Sequence, residues 1–307
     1  MTSPPQRIDV AECLRKGMIG ALGAIPGTAA AHPFDVVKIR MQTSGDRLST
    51  AVAHVARNQG SGGPRSFYRG LTSALQQRVL TRGPMFLFSE LFTRAAMRHG
   101  GLDRGTACFV GSAGSGYATG AVAAIAEYRK VLTSQGVPVR SISGNGHSKG
   151  GGETRAWRYA DITRHWRSHG RQLLKRAHGA GTRNAIFDST FFGLQHMLSE
   201  RHGVSPGASY ALAAGTAVAV DYSVDMSLKR MMVVPPDERV GGLIRTLSGF
   251  VADGRARGRS LLATVLLVHR GLSAKVVEFS VNYGVMGVAS VYVYAAAARL
   301  FGPASVT

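Results

Sequence analysis

Pro33-Phe34-Asp35-Val36-Val37-Lys38-Ile39-Arg40-Met41-Gln42 decides the reading of this chain. It follows an apolar stretch, Gly17 to His32, and it packs a proline, an acid, two bases and a glutamine into ten residues. Two weaker echoes lie downstream. Ile125-Ala126-Glu127-Tyr128-Arg129-Lys130 keeps the acid and the base at the same spacing with Ile125 in place of proline. Ser223-Val224-Asp225-Met226-Ser227-Leu228-Lys229-Arg230 keeps the acid, with Ser223 for proline and Leu228 where the base belongs. The anchors Pro33, Ile125 and Ser223 stand 92 and 98 residues apart. A fixed period over most of a chain marks a repeat architecture.

Each anchor closes an apolar segment. Ala107 to Ala126 is uncharged for 20 residues, the length that spans a bilayer core. Gly203 to Val220 is similar, and Val276 to Ala298 carries Glu278 alone. Leu71 to Phe92 and Leu173 to Leu198 are apolar but studded with Arg and Gln. Soluble core helices would explain any one of these; six in sequence predict an all-α membrane bundle. An Arg inside a membrane is costly unless it faces water or a partner. Arg78, Arg82, Arg183 and Arg270 are therefore expected to point inward, with snorkelling to an interface as the alternative for Arg78 and Arg82.

Composition agrees. Charged residues make up 18% of the 307-residue chain, below the quarter or so of a soluble domain. Gly and Ala are abundant, which lets helix backbones approach closely in lipid. The net charge of +20 predicts anionic partners. The bases are scattered, without the zinc-finger spacing or aromatic signature of nucleic-acid binders, so an anionic membrane surface is preferred. Cys13 and Cys108 allow no disulfide framework or metal cluster. No phosphate loop, zinc-hydrolase motif or nucleophile elbow points to an enzyme, and no cofactor is expected. Met1 to Val10 lacks an apolar core, so targeting information is expected inside the chain. Pro138 to Arg176 holds Gly150-Gly151-Gly152, Trp157, Trp166 and nine bases against two acids. It reads as a solvent-side loop with a short amphipathic helix near Tyr159 to His169, either simply solvated or in contact with anionic lipid or protein.

The ten-residue stretch resembles the signature of the mitochondrial carrier family, Pro-x-acid-x-x-base-x-base-x-Gln. Phe67-Tyr68-Arg69-Gly70 resembles the family's aromatic-base-Gly element, and Glu90 falls where its second helix carries an acid. The resemblance implies an inner-membrane protein of the mitochondrion: six tilted transmembrane helices, three pseudo-symmetric repeats (1–100, 101–202 and 203–307) around a central cavity, and short matrix-side helices. It implies a kink at Pro33 and a matrix gate built from Asp35, Lys38, Glu127, Lys130 and Asp225, with Asp35 paired to Lys130 and Asp225 to Lys38. Glu127 is left without its base, because Lys229 is one residue off, about 100° around a helix. The opposite gate looks nearly absent, since Thr93 stands where Glu90 needs a base. Candidate substrate contacts are Gln77, Arg78, Arg82, Arg183-Asn184 and Arg270-Gly271. Asp188 and Glu278 are expected to neutralise Arg183 or Arg270.

Two functions follow from the resemblance. One is a degenerate carrier with reduced or lost transport, serving as an accessory subunit of a respiratory or ATP synthase complex. The other is a working exchanger of a small anionic or amino-acid-like metabolite. Anionic, cardiolipin-like lipid is the expected bound partner in both.

Overall fold

The computed structural model describes residues 10–44, 47–58, 63–68, 71–134, 159–234, 239–258, 260 and 272–301. Every regular element among them is helical. In order they are α1 (Val10–Ser44), α2 (Leu48–Asn58), a 3₁₀ turn (Pro64–Tyr68), α3 (Leu71–Gly100), α4 (Arg104–Ser134), α5 (Tyr159–His196), a π turn (Met197–Arg201), α6 (Pro206–Val233), α7 (Leu243–Ala256) and α8 (Leu272–Phe301). The long helices run 28 to 38 residues, enough for 40 Å or more at about 1.5 Å per residue. Pro33 and Pro26 lie inside α1 and Pro84 inside α3, each deleting one backbone hydrogen bond.

Local chemistry sets the ends. Gly101 has φ +61°, a left-handed conformation that stops α3 at little cost. Asp103 then caps α4: its carboxylate accepts from the Gly105 N–H at 3.0 Å and the Thr106 N–H at 3.2 Å. The Thr106 hydroxyl also donates to it, and these bonds hold the Asp103 carboxyl below its usual range. Gly203 (φ +63°) and Pro206, the first residue of α6, make the corresponding turn.

One sequence expectation changes and another is met in part. The helix foreseen at Tyr159 to His169 is the first part of α5, a single helix of 38 residues. Between Tyr159 and His196 there is no proline, and Gly170 and Gly179 weaken a helix without ending it. The rest of the basic loop, 135–158, lies outside the described residues. Second, only Leu272–Ala296, with mean hydropathy 1.3, is long and apolar enough to cross a membrane by length and composition among the described residues. The stretches in α4 and α6 lack charge but are rich in Gly, Ser, Thr and Tyr, as in Gly111-Ser112-Ala113-Gly114-Ser115-Gly116-Tyr117. Absence of charge is not the same as hydropathy.

The chain packs as two units. Unit 1 comprises 1–120, 181–222 and 269–307. In it α1 packs on α3 and α8. Its buried cluster joins Ala24, Met85, Phe86, Phe187, Phe191, Ala213, Ala214, Ala217, Val218, Tyr283 and Met286. Glycines carry the closest approaches. A Cβ on Gly27 would stand 2.3 Å from the Asn282 carbonyl oxygen, and one on Gly116 2.4 Å from that of Asn184. This is the use of small residues that the composition foretold. Unit 2 comprises 121–180 and 223–268, with a smaller core of Ala124, Tyr128, Leu173, Ala177, Ala180, Leu228 and Met232.

Candidate functional site

Unit 1 holds a row of buried charges. Lys38, near the end of α1, places Nζ 2.5 Å from Glu278 on α8 and 2.7 Å from Asp35 one turn away. Arg78 of α3 reaches the other oxygen of Glu278 at 3.2 Å. Glu278 is 1% exposed, so it is a buried carboxylate shared by two cations. It thus meets Lys38 and Arg78, two bases the sequence reading did not assign to it, because α8 packs along α1. Lys275, one turn earlier on α8, stands 3.4 Å from Asp221 of α6. The Phe279 ring lies 5.8 Å from Lys38 Nζ, 5.5 Å from the Arg78 guanidinium and 5.4 Å from Lys275 Nζ. A ring face among three cations adds to their stabilisation.

Arg82 comes one turn after Arg78. It is buried, its guanidinium lies 4.5 Å from the Tyr283 ring centre and 6.0 Å from that of Phe187, and it donates to the Met85 thioether at 2.9 Å. Arg183 donates to the neighbouring Asn184 side chain at 2.9 Å. Gln77 is half-buried on α3, and its backbone carbonyl accepts from the Thr81 hydroxyl at 2.9 Å. Arg270 and Gly271 lie outside the described residues, as does the side chain of Lys130 on α4.

Next along unit 1 comes a layer of rings from four helices. Phe187 and Tyr283 are 5.7 Å apart, Phe191 and Tyr283 4.6 Å, Phe86 and Phe192 5.1 Å, and Phe191 and Tyr210 5.5 Å. Phe191 and Tyr283 are fully buried. Past the rings a second polar cluster follows. Lys16 of α1 is 2.6 Å from Glu90 of α3, which also holds Arg94 at 2.6 Å. The sequence expectation that Glu90 lacks a base is corrected: its bases are Arg94, four residues on, and Lys16 on a neighbouring helix. Spacing within one helix could not reveal Lys16.

Unit 2 corrects a second expectation. Lys229 reaches Glu127 at 2.5 Å. Leu228, at the position of the missing base, is fully buried among Ala177, Ala180 and Met232. A flexible four-carbon stem recovers the residue offset, and the leucine fills the core. Asp225 is buried on the same helix. The sequence reading missed Arg176, which is 1% exposed. It donates to the carbonyls of Met231 (2.9 Å) and Val234 (2.8 Å) and stacks 4.8 Å over the Tyr128 ring. Tyr128 itself donates to the Val234 carbonyl at 3.0 Å. Lys175 and Gln172 bind the backbone of Val240.

Residues 10–100, which contain α1, α2 and α3, match the family described as mitochondrial carrier protein. That first third of the chain is similar to the mitochondrial carrier family. A search of curated proteins found no match. The matched carrier segment holds Pro33, Asp35, Lys38, Gln77, Arg78, Arg82 and Glu90. In this carrier segment the motif's acid and first base bind each other, and the base also turns to α8. A buried ion pair gains only if its members are fully partnered. Glu278 and Lys38 meet that condition, so the cationic row in unit 1 is largely neutralised from within.

Proposed function

We propose that this carrier-family protein is a closed member of the inner mitochondrial membrane, with transport reduced or lost, serving as an accessory subunit of a larger respiratory or ATP synthase complex. In this reading six tilted helices, α1, α3, α4, α5, α6 and α8, form three pseudo-symmetric repeats. The observation that carries it is the buried aromatic layer of unit 1. Phe86, Phe187, Phe191 and Tyr283 are all buried, and rings from α3, α5, α6 and α8 touch one another. A conducting lumen is polar and wet, and solute passing this layer would have to part stacked rings. The internally paired charges point the same way, since Glu278 already holds two of the bases that would greet an anion.

A second reading, a working carrier, is favoured by the Lys16–Glu90–Arg94 and Lys38–Glu278–Arg78 clusters on either side of the rings. Alternating access needs two closures of modest and comparable strength. Proteoliposomes loaded with a metabolite panel, together with native gels of mildly solubilised mitochondria, separate the two. The accessory reading expects no exchange above empty-vesicle leakage and comigration with a large complex. Saturable exchange that Arg183→Ala abolishes, with the protein running alone, would overturn it.

A further inference from the structure

α6 and α8 run antiparallel in unit 1, and three glycines set how closely they approach. A Cβ on Gly207 would stand 2.8 Å from Val288 Cγ2, one on Gly284 3.3 Å from Ala211 Cβ, and one on Gly287 2.7 Å from the Pro206 carbonyl oxygen. Pro206 is the first residue of α6, while α8 continues to Phe301. The part of α8 beyond Val288 therefore overhangs the start of α6. A cavity of about 550 Å³ opens there, lined by Gly207, Ala208, Gly284, Val288, Val291 and Tyr292 among others, and no described residue of its lining is charged. Val291 is 50% and Tyr292 71% exposed. Tyr294 is engaged elsewhere, since its hydroxyl accepts from Arg15 of α1 at 3.0 Å. Tyr292, two residues earlier, stands about 200° around the helix from it.

The character of α8 says what covers this groove. Its length and hydropathy suit a membrane, and 28% of that apolar stretch is buried within the protein. The core helix of a soluble domain hides most of its surface, so the outer face of α8 and the groove beside it open toward hydrocarbon. A further helix is a poor occupant. Helices associate in lipid where small residues let backbones approach, and here the glycines are already taken up by the contact between α6 and α8. The rim that remains, Val288, Val291 and Tyr292, is bulky and holds off a cylinder about 10 to 12 Å across. A single hydrocarbon chain is thin and flexible enough to follow the notch. It supplies the carbon contacts that an unfilled concave wall forfeits. Tyr292 suits the polar end of such a lipid, with an apolar ring along the chain and a hydroxyl for water or a headgroup.

We propose that the groove between the start of α6 and the end of α8 holds one acyl chain of a membrane phospholipid, tightly enough to survive extraction into detergent. The site rests on the membrane placement in the proposed function and is independent of whether the protein transports or joins a complex.

The test uses the full-length protein. Membranes carrying it are first washed in alkaline carbonate, which leaves a spanning protein in the pellet. The protein is then purified in mild detergent, and retained phospholipid is read by native mass spectrometry. The parent should keep a phospholipid adduct. Ala208→Trp, which fills the groove from an exposed position, should lower the occupancy of that adduct about tenfold. Ala219→Trp, exposed on α6 away from the groove, should leave it unchanged. Tyr292→Ala removes a wall without adding bulk and should lower occupancy as well, and it decides the matter if Ala208→Trp does not fold. Release of the parent by carbonate would overturn the membrane placement and this inference with it. Retention in the pellet with no bound phospholipid, or with an adduct indifferent to Ala208→Trp and Tyr292→Ala, would overturn the lipid site alone. So would variants that shed a copurifying protein and keep their lipid.

Discussion

Glu278 shows how much one side chain organises here. Its two oxygens serve Lys38 from α1 and Arg78 from α3, at 1% exposure. Glu278→Gln keeps the volume and removes the charge, leaving the half-buried Arg78 guanidinium without a carboxylate and buried Lys38 with Asp35 alone. Removing one partner of a buried pair costs about 3 to 5 kcal/mol. Thermal unfolding in detergent should therefore fall by many degrees, and a drop no larger than that of an exposed control would refute this account. Lys229→Ala is the contrast. Lys229 is 29% exposed beside Glu127 and therefore partly screened, so its loss should cost no more than about 1 kcal/mol in the same assay. The motif acid and base, Asp35 and Lys38, were legible in sequence because proline and spacing mark them. Lys16, Lys275 and Arg176 were not, since their partners lie on other helices and no local spacing encodes a contact between helices.

At the level of helices, glycine does two opposite things. On α1, Gly27 faces the Asn282 backbone so closely that a methyl would stand 2.3 Å from a carbonyl oxygen. On α5, Gly170 has nothing within 4 Å of the same position. Gly27→Ala should force α1 from α8 and destabilise by about 1 to 3 kcal/mol, the usual cost of overpacking. Gly170→Ala should instead gain up to about 1 kcal/mol from helix propensity. Unfolding temperatures that move in the same direction for both would contradict the packing. Element type was readable for the long helices, because long apolar runs can hardly be anything but helix, even where Pro26, Pro33 and Pro84 interrupt α1 and α3. The boundary of α5 was not, since a basic, tryptophan-bearing stretch reads as a solvated loop until its continuity with the apolar part is seen. Among the charge-free segments only α8 reaches the hydropathy of a membrane span by composition alone, since Gly, Ser and Thr remove charge without adding hydropathy.

Over the whole molecule, 37 bases face 17 acids, and several acids, among them Asp35, Glu127, Asp188, Asp221, Asp225 and Glu278, are buried. The remaining positive charge is turned to the surroundings. Arg245 and Arg255 on α7 are exposed, as are Arg257 just past its end and Ile244, which is 83% exposed. The protein should therefore gain more thermal stability from cardiolipin than from phosphatidylcholine. The difference should shrink in about 1 M salt, where screening acts over roughly 3 Å. Equal protection by both lipids would count against an anionic-lipid partner.

Arg176 has one further consequence, which concerns time. The carbonyls it grips are made 55 and 58 residues after it. While the chain is being synthesised, this guanidinium exists before the carbonyls it will hold. The base of α5 cannot settle until the end of α6 arrives, so assembly of that corner is forced to wait for its last strut.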